Sequence, residues 1–369
     1  MRVLIFFAST GGGHKRAAAA LKEYIENESP DNVVSAVDGL RLTGKVYNKF
    51  ICGGYTTLAK KMPGFYGKIY RNSDKKSKLN NLCNSLNKSK GGHLLPTIEK
   101  FKPDVIISCH AFITTMLGDL KMHGKISAEI IALVTDFAAH YTYIAEGVEH
   151  YVVSSDRMVN DFKEKYKIAE RRVHKFGIPV FSRFSEPADK NELLKKLGLK
   201  TEVKTVLFMA GSFGVSEVLD FYKDISAKTK NCQFVVITGN NERLYSSFQS
   251  EINENTILLK FIGNVEDYMH CADLIITKPG GLTVSESITC SLPMAIYSAF
   301  PGQEADNAEY LSSVGAAVTL DKNPGDEIND LINDSDRLKA MSDNCKKIYP
   351  GNASKLICEL AHSITEHKV

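Results

Sequence analysis

Tryptophan is absent from the 369 residues, and no Cys-x-x-Cys pair, no Gly-Lys-Ser/Thr turn and no clean Gly-x-Gly-x-x-Gly occurs. The eight cysteines are scattered, without metal-ligand spacing. They predict neither a zinc site nor a disulfide framework, and a reducing, cytosolic setting is expected. Long apolar runs are also missing. The best stretches, 104–118 and 129–139, are broken by Ser, His, Thr or Asp, short of the ~18 residues a membrane span needs. Met1–Phe7 runs straight into a strand-like pattern and glycines with no small-residue cleavage site, so it is not read as a signal peptide. Disorder is excluded by a 43% hydrophobic content and a net charge of only +3, because such a chain has enough apolar surface to bury.

What is present is a repeated alternation of short apolar runs and helical patterns. Runs at 3–8, 33–37, 104–108, 130–135 and 151–154 fill the first half, and runs at 206–210, 234–238, 257–262, 274–277 and 294–297 fill the second. Most are unbroken rather than alternating, as parallel strands covered on both faces require. The pattern predicts an α/β chain of two doubly wound domains. A polar stretch from Glu186 to Lys204 separates them. The expected division is 1–185, 186–350, and a C-terminal amphipathic helix in 351–369 that docks back across the first domain.

Each half opens with strand, glycine turn and helix: Ser9–His14 in the first and Gly211–Gly214 in the second. Such turns let backbone N–H groups approach an anion at a helix N-terminus. A third turn, Lys278–Gly281, leads into a helix carrying Glu286 in its early turns. That carboxylate either complements the helix end or accepts two hydroxyls of a ribose. Pro301–Asn307 is polar and reads as a solvated loop. Asp334-Ser335-Asp336 spells a DxD, but its place before Leu338 reads as a helix cap, so no metal is expected.

In these segments the chain resembles glycosyltransferase family 28, and within it the monogalactosyldiacylglycerol synthase and bacterial diacylglycerol glucosyltransferase branch. The likeness is carried by Gly11–His14, Pro103–His110, Val134–Phe137 with His140, Phe176–Val180, Phe261–Gly263, Lys278–Glu286 and Pro301–Glu304, in family order along nearly the whole chain. It implies a GT-B fold, two Rossmann-like domains facing across a cleft, with the nucleotide-sugar in the C-terminal domain and the acceptor in the N-terminal one. By this resemblance Gly211, Ser212 and Gly214 would cradle the diphosphate of UDP. Phe261 and Ile262 would flank the uracil, Glu286 would hold the ribose, and Gln303 and Glu304 would read the sugar hydroxyls. Gly13, Gly280, Gly281 and Thr283 would complete the donor contacts. Two positions depart from the family: Phe181 stands where an arginine is frequent, with Arg183 two places on, and a common tryptophan is missing near Tyr143.

The implied activity is inverting transfer of glucose or galactose from a UDP-sugar to 1,2-diacylglycerol, giving a β-glycosyldiacylglycerol without a cofactor. Inversion needs a base for the acceptor hydroxyl. His14 at the end of the first glycine turn is the first candidate, and Asp136 at the end of a buried strand is the second; His110 and His140 read as structural. Between Arg41 and Lys90 stand twelve Lys or Arg and one acidic residue, Asp74, a local charge of +11 against −8 for the rest. Cations and aromatics interleave there, and Lys49, Phe50, Tyr55, Lys60, Lys61, Phe65, Tyr66, Lys68, Tyr70 and Arg71 are the expected contacts to an anionic membrane surface and the acceptor. The chain is thus expected to be cytoplasmic and peripheral on the inner face of the cell membrane, binding no nucleic acid. The alternatives are a UDP-N-acetylglucosamine 2-epimerase-like isomerase, UDP-N-acetylglucosaminyl transfer to a polyprenyl lipid, and a Rossmann oxidoreductase using Asp38.

Overall fold

The computed structural model describes residues 1–9, 12–44, 62–74, 85, 87–210 and 215–366. The apolar runs form two six-stranded sheets in which every strand pairs parallel to its neighbours. The first comprises β1 (Arg2–Phe7), β2 (Val33–Asp38), β3 (Val105–Ser108), β4 (Glu129–Leu133), β5 (His150–Val153) and β6 (Val173–Lys175), in the order β2-β1-β3-β4-β5-β6. The second comprises β7 (Lys204–Met209), β8 (Cys232–Ile237), β9 (Thr256–Leu259), β10 (Leu274–Thr277), β11 (Met294–Ile296) and β12 (Ala317–Thr319), in the order β12-β11-β10-β7-β8-β9.

Alternation along each strand divides its side chains between two cores. In β1, Leu4 and Phe6 join Ile106, Ile130 and the Ala111–Met122 helix on one face. Val3 and Ile5 join Ile107, Leu133 and Val152 on the other. Both faces are buried, which is why the runs contain no polar alternation. Two strands are absent from the sequence reading, β6 and β12. Each is three residues long and sits at a sheet edge, and only its first residue is buried, so neither needs the unbroken apolar run that marks the central strands.

Chain order reverses beside β1 and β3 in the first sheet and beside β7 and β10 in the second. At these reversals the flanking helices lie on opposite faces and leave a crevice at the carboxyl ends of the strands. The strands β1, β7 and β10, which the three glycine turns follow in sequence, are the ones that flank these crevices.

The C-terminal helix, Ala353–Glu366, returns to the first sheet. Ile357, Cys358, Ala361 and Ile364 pack on Val3, Ile5 and the Gly12–Glu28 helix. The chain therefore crosses between the halves twice, near Gly177 and near Pro350. A β-carbon on Gly177 would stand 2.7 Å from Cγ of Pro350, and its φ of +85° is itself a glycine conformation. Among the described residues no helix is long and apolar enough to cross a membrane.

Ile357 is fully buried, and truncating it leaves a cavity that the rigid sheet cannot fill. Ile357→Ala should lower unfolding free energy by about 2–5 kcal/mol, measured as a reduced midpoint in urea with an unchanged slope.

Candidate active site

The helices Gly12–Glu28 and Gly281–Thr289 begin at the carboxyl ends of β1 and β10, one in each half, and they meet across the cleft. Gly13 lies against Leu282, and a β-carbon on Gly281 would overlap the carbonyl oxygen of Thr135. Only a glycine admits the Thr135–Phe137 turn this close to the opposing helix.

Three consecutive residues of that turn then bond to two partners, His14 and Asn307. The Thr135 hydroxyl lies 2.9 Å from His14 Nδ1. Asp136 faces the cleft, with Asn307 Nδ2 at 3.4 Å from its Oδ1. The backbone N–H of Phe137 donates to Asn307 Oδ1 at 2.8 Å, and Asn307 Nδ2 donates to the carbonyl of Pro279 at 2.9 Å. Asn307 is wholly buried, so one amide satisfies backbone groups of both halves. The Phe137 ring joins the core of the second half, stacked on Tyr310.

Burial sets the protonation of these groups. His14 is pushed down to about 4 by desolvation, opposed by a hydrogen bond to the Cys109 carbonyl. Its ring stands edge-on to His110 at 5.0 Å. Asp136 is pushed up to about 6, again by desolvation, with Asn307 lowering it and the carboxylates of Glu304 and Asp306 raising it. At neutral pH the site therefore presents a neutral imidazole beside an ionised carboxylate.

His110 and His140, read from the sequence as structural, serve as helix caps. Their Nδ1 atoms accept from the N–H groups of Phe112 and Thr142. His140 has a second role: its Nε2 lies 3.1 Å from the Tyr70 carbonyl, and its ring stacks on Tyr70 at 4.2 Å. The Pro63–Ser73 helix is thereby held over the cleft. Asp74 at its end accepts from the Tyr141 N–H at 2.8 Å and the Tyr166 hydroxyl at 2.5 Å, and also pairs with Lys165. Gly67 abuts Pro301 of the second half. Phe65 is half-exposed at 51%, and Lys68 and Arg71 are exposed on the same helix. Tyr66 lies within this helix. Lys49, Phe50, Tyr55, Lys60 and Lys61 fall outside the described residues, as do Gly211, Ser212 and Gly214.

The remaining candidates gather on the second half. Gly280 has open space beside it, and Gly281 and Thr283 open the helix that carries Glu286. Phe261 is 65% exposed in the turn after β9, next to the half-buried Ile262. Gln303 and Glu304 begin the Gln303–Ser313 helix. This corrects the reading of Pro301–Asn307 as a loop. Glu304 accepts from the Phe300 N–H at 3.0 Å, and acidic residues complement the helix N-terminus. The polar composition that suggested a loop is that of a helix start. Asp334 caps the Ser335–Ile348 helix through the Arg337 N–H.

Glu286 is 2% exposed and accepts from Arg16 of the opposite half at 2.7 Å. Arg16, Thr135 and Asn307 were all missed by the sequence reading. None carries a local signal, because each takes its partner from a distant segment.

Comparison with known proteins follows this geometry. Residues 14–180 match the model of monogalactosyldiacylglycerol (MGDG) synthase, and residues 205–355 match the glycosyltransferase family 28 C-terminal domain. Together the two matches take in most of the chain and both halves of the cleft. The chain belongs to this glycosyltransferase family. It is 29% identical to a processive diacylglycerol beta-glucosyltransferase of Staphylococcus epidermidis, over 97% of this chain and 91% of the relative. A protein of the same name from Bacillus subtilis is 28% identical over 97% and 94%. Among solved structures, Acinetobacter baumannii MurG superposes with a TM-score of 0.64 at 14% identity, covering 98% of this chain and all of that one. UDP-GlcNAc 2-epimerase from Neisseria meningitidis gives 0.61 at 15% identity over both full chains. These likenesses establish the GT-B architecture of the family member.

Asn307→Leu keeps the volume but strands the Phe137 N–H and the Pro279 carbonyl. Each orphaned group costs about 1–3 kcal/mol, so unfolding free energy should fall by about 2 kcal/mol or more in urea titration.

Proposed function

We propose that the protein is an inverting glycosyltransferase that moves glucose from UDP-glucose to 1,2-diacylglycerol, forming a β-glucosyldiacylglycerol at the cytoplasmic membrane surface. The observation that carries this reading is the convergence of the two family-matched halves on one cleft. There Arg16 of the first half meets Glu286 of the second, and Asn307 of the second meets Asp136 and Phe137 of the first. The names of the relatives favour glucose over galactose and favour repeated transfer onto the glycolipid product.

In this reading the donor lies on the second half. Phe261 and Ile262 flank the uracil, and the Glu286 carboxylate takes the ribose hydroxyls. Gly211, Ser212, Gly214, Gly280, Gly281 and Thr283 surround the diphosphate. The helix starting at Gly281 directs its N-terminus at the departing charge. Gln303 and Glu304 read the sugar hydroxyls. The acceptor hydroxyl enters from the first half and attacks C1 of the sugar. Its oxygen forms the new glycosidic bond, the bond from C1 to the diphosphate breaks, and the proton passes to a base.

Asp136 suits the base better than His14. A base works best with a pKa near the operating pH, and Asp136 is pushed up to about 6 while His14 is pushed down to about 4. The imidazole is also held between Thr135 and Cys109. His14 then orients Thr135 and the turn that carries Asp136.

The lipid is supplied from the membrane beside the basic segment. The exposed Phe65, Lys68 and Arg71 of the Pro63–Ser73 helix suit an anionic interface, ring toward the acyl boundary and cations toward headgroups. Each cation near such a surface contributes about 1 kcal/mol. Vesicles rich in anionic lipid should sediment the protein at low salt and release it at high salt; no sedimentation at low salt removes the membrane from the reading.

Radiolabelled UDP-glucose, UDP-galactose and UDP-N-acetylglucosamine, each incubated with diacylglycerol vesicles, test the reaction. Label from UDP-glucose should become lipid-extractable; label that stays in water-soluble products points instead to an epimerase. Asp136→Asn should cut kcat by about 10²–10⁴-fold with UDP affinity held within about twofold. In the unsubstituted enzyme kcat should climb as pH rises through about 6, since only the ionised carboxylate accepts the proton. An acid limb near 4 that vanishes in His14→Ala would transfer the role to His14.

A further inference from the structure

We infer that Arg16 is a positioning residue for the donor: from the first half it holds Glu286 of the second as an ionised, aimed acceptor, so that ribose recognition is completed only when the two halves meet. The inference rests on the reading of Glu286 as the ribose group and goes beyond it, because it makes the nucleotide site shared between halves.

The geometry is that of a built site. The Glu286 side chain is 3% exposed and that of Arg16 is 38% exposed, with the guanidinium 2.7 Å from one carboxylate oxygen. A second buried carboxylate, Glu266, is held by Arg183 at 2.9 Å, and Arg183 lies over the Phe181 ring at 4.2 Å. Two buried carboxylates are thus each held by a partly exposed arginine, and Arg16 is the only one of the four that precedes the crossing near Gly177. The departure noted at Phe181 and Arg183 belongs to this array.

Charge decides what Glu286 can do. Desolvation and Glu266 raise its pKa while Arg16 and Arg183 lower it, and the balance of the four stands at about 7. An ionised carboxylate offers about four acceptor sites over its two oxygens. Arg16 occupies one, which leaves capacity for a pair of vicinal hydroxyls. Without Arg16 the two carboxylates would depend on Arg183 alone, and Glu286 would take up a proton. A protonated acid accepts fewer hydrogen bonds, so the 2′-hydroxyl would lose its partner. A lysine would keep the charge but not the planar fork that fixes the carboxylate's direction.

The test compares UDP with 2′-deoxy-UDP by titration calorimetry at pH 8, above the balance point of Glu286, using the full-length protein. A hydrogen bond to a charged group is worth about 10- to 100-fold in affinity, and the unsubstituted protein should prefer UDP by that factor. In Arg16→Met the preference should collapse to about twofold or less, and in Arg16→Lys it should be intermediate. A purely structural role would weaken both ligands equally and leave their ratio alone. A ratio unchanged in Arg16→Met, or in Arg16→Lys alone if the methionine variant does not fold, overturns the inference. Failure of the unsubstituted protein to bind UDP overturns the donor reading beneath it. UDP binding without preference over 2′-deoxy-UDP removes Glu286 from the ribose and the inference with it.

Discussion

A missing β-carbon at Gly281 is the constraint on which the cleft depends. Because position 281 carries only hydrogen, the Thr135 carbonyl can seat directly on the start of the opposing helix. The contacts of the Thr135–Phe137 turn follow from it. Thr135 meets His14, Asp136 is left facing the cleft, and Phe137 enters the core of the second half while its N–H reaches Asn307. Any larger residue would push the turn away and separate groups that now act at hydrogen-bond distance. Sterics at one backbone atom thus determine the electrostatics of the site.

Those electrostatics share one theme: carboxylates placed where water is scarce. Asp136 and Glu286 are both raised toward neutrality by burial, each moderated by a group from the other half. Asn307 does this for Asp136, and Arg16 does it for Glu286. Each domain alone would carry a carboxyl group with a different affinity for protons. The chemistry is therefore a property of the closed pair, in keeping with ligands that bind between domains rather than on them.

The architecture was legible because its signals are local. Unbroken runs such as Val3–Phe6 and Leu274–Ile276 can only be strands buried on both faces, and glycine turns mark where they end. The edge strands β6 and β12 were invisible because only the first residue of each is buried, which leaves no unbroken apolar run. Within the site, His14, Asp136 and Glu286 were found from their positions after strands and turns. Arg16 and Asn307 were not, since nothing about a charged residue on an amphipathic helix, or an amide in a polar run, reveals a partner 270 or 170 residues away. Asn307 was further disguised by its acidic neighbours, which serve the helix start and not the solvent. The family likeness supplied roles for side chains whose placement no single segment specifies.

The return of the Ala353–Glu366 helix to the first sheet has a consequence for how the molecule is made. Topologically the second half is an insertion within the first, since the strip of Val3, Ile5, Ile107, Leu133 and Val152 is covered in part by Ile357, Cys358, Ala361 and Ile364. A nascent chain folds its domains as they emerge, yet here the strands of the first sheet wait for the Ala353–Glu366 helix, which follows the whole second half. Until then an apolar sheet face stands open on an otherwise assembled domain. Docking of the Ala353–Glu366 helix thus completes the core of the first half only after the whole of the second half has been made.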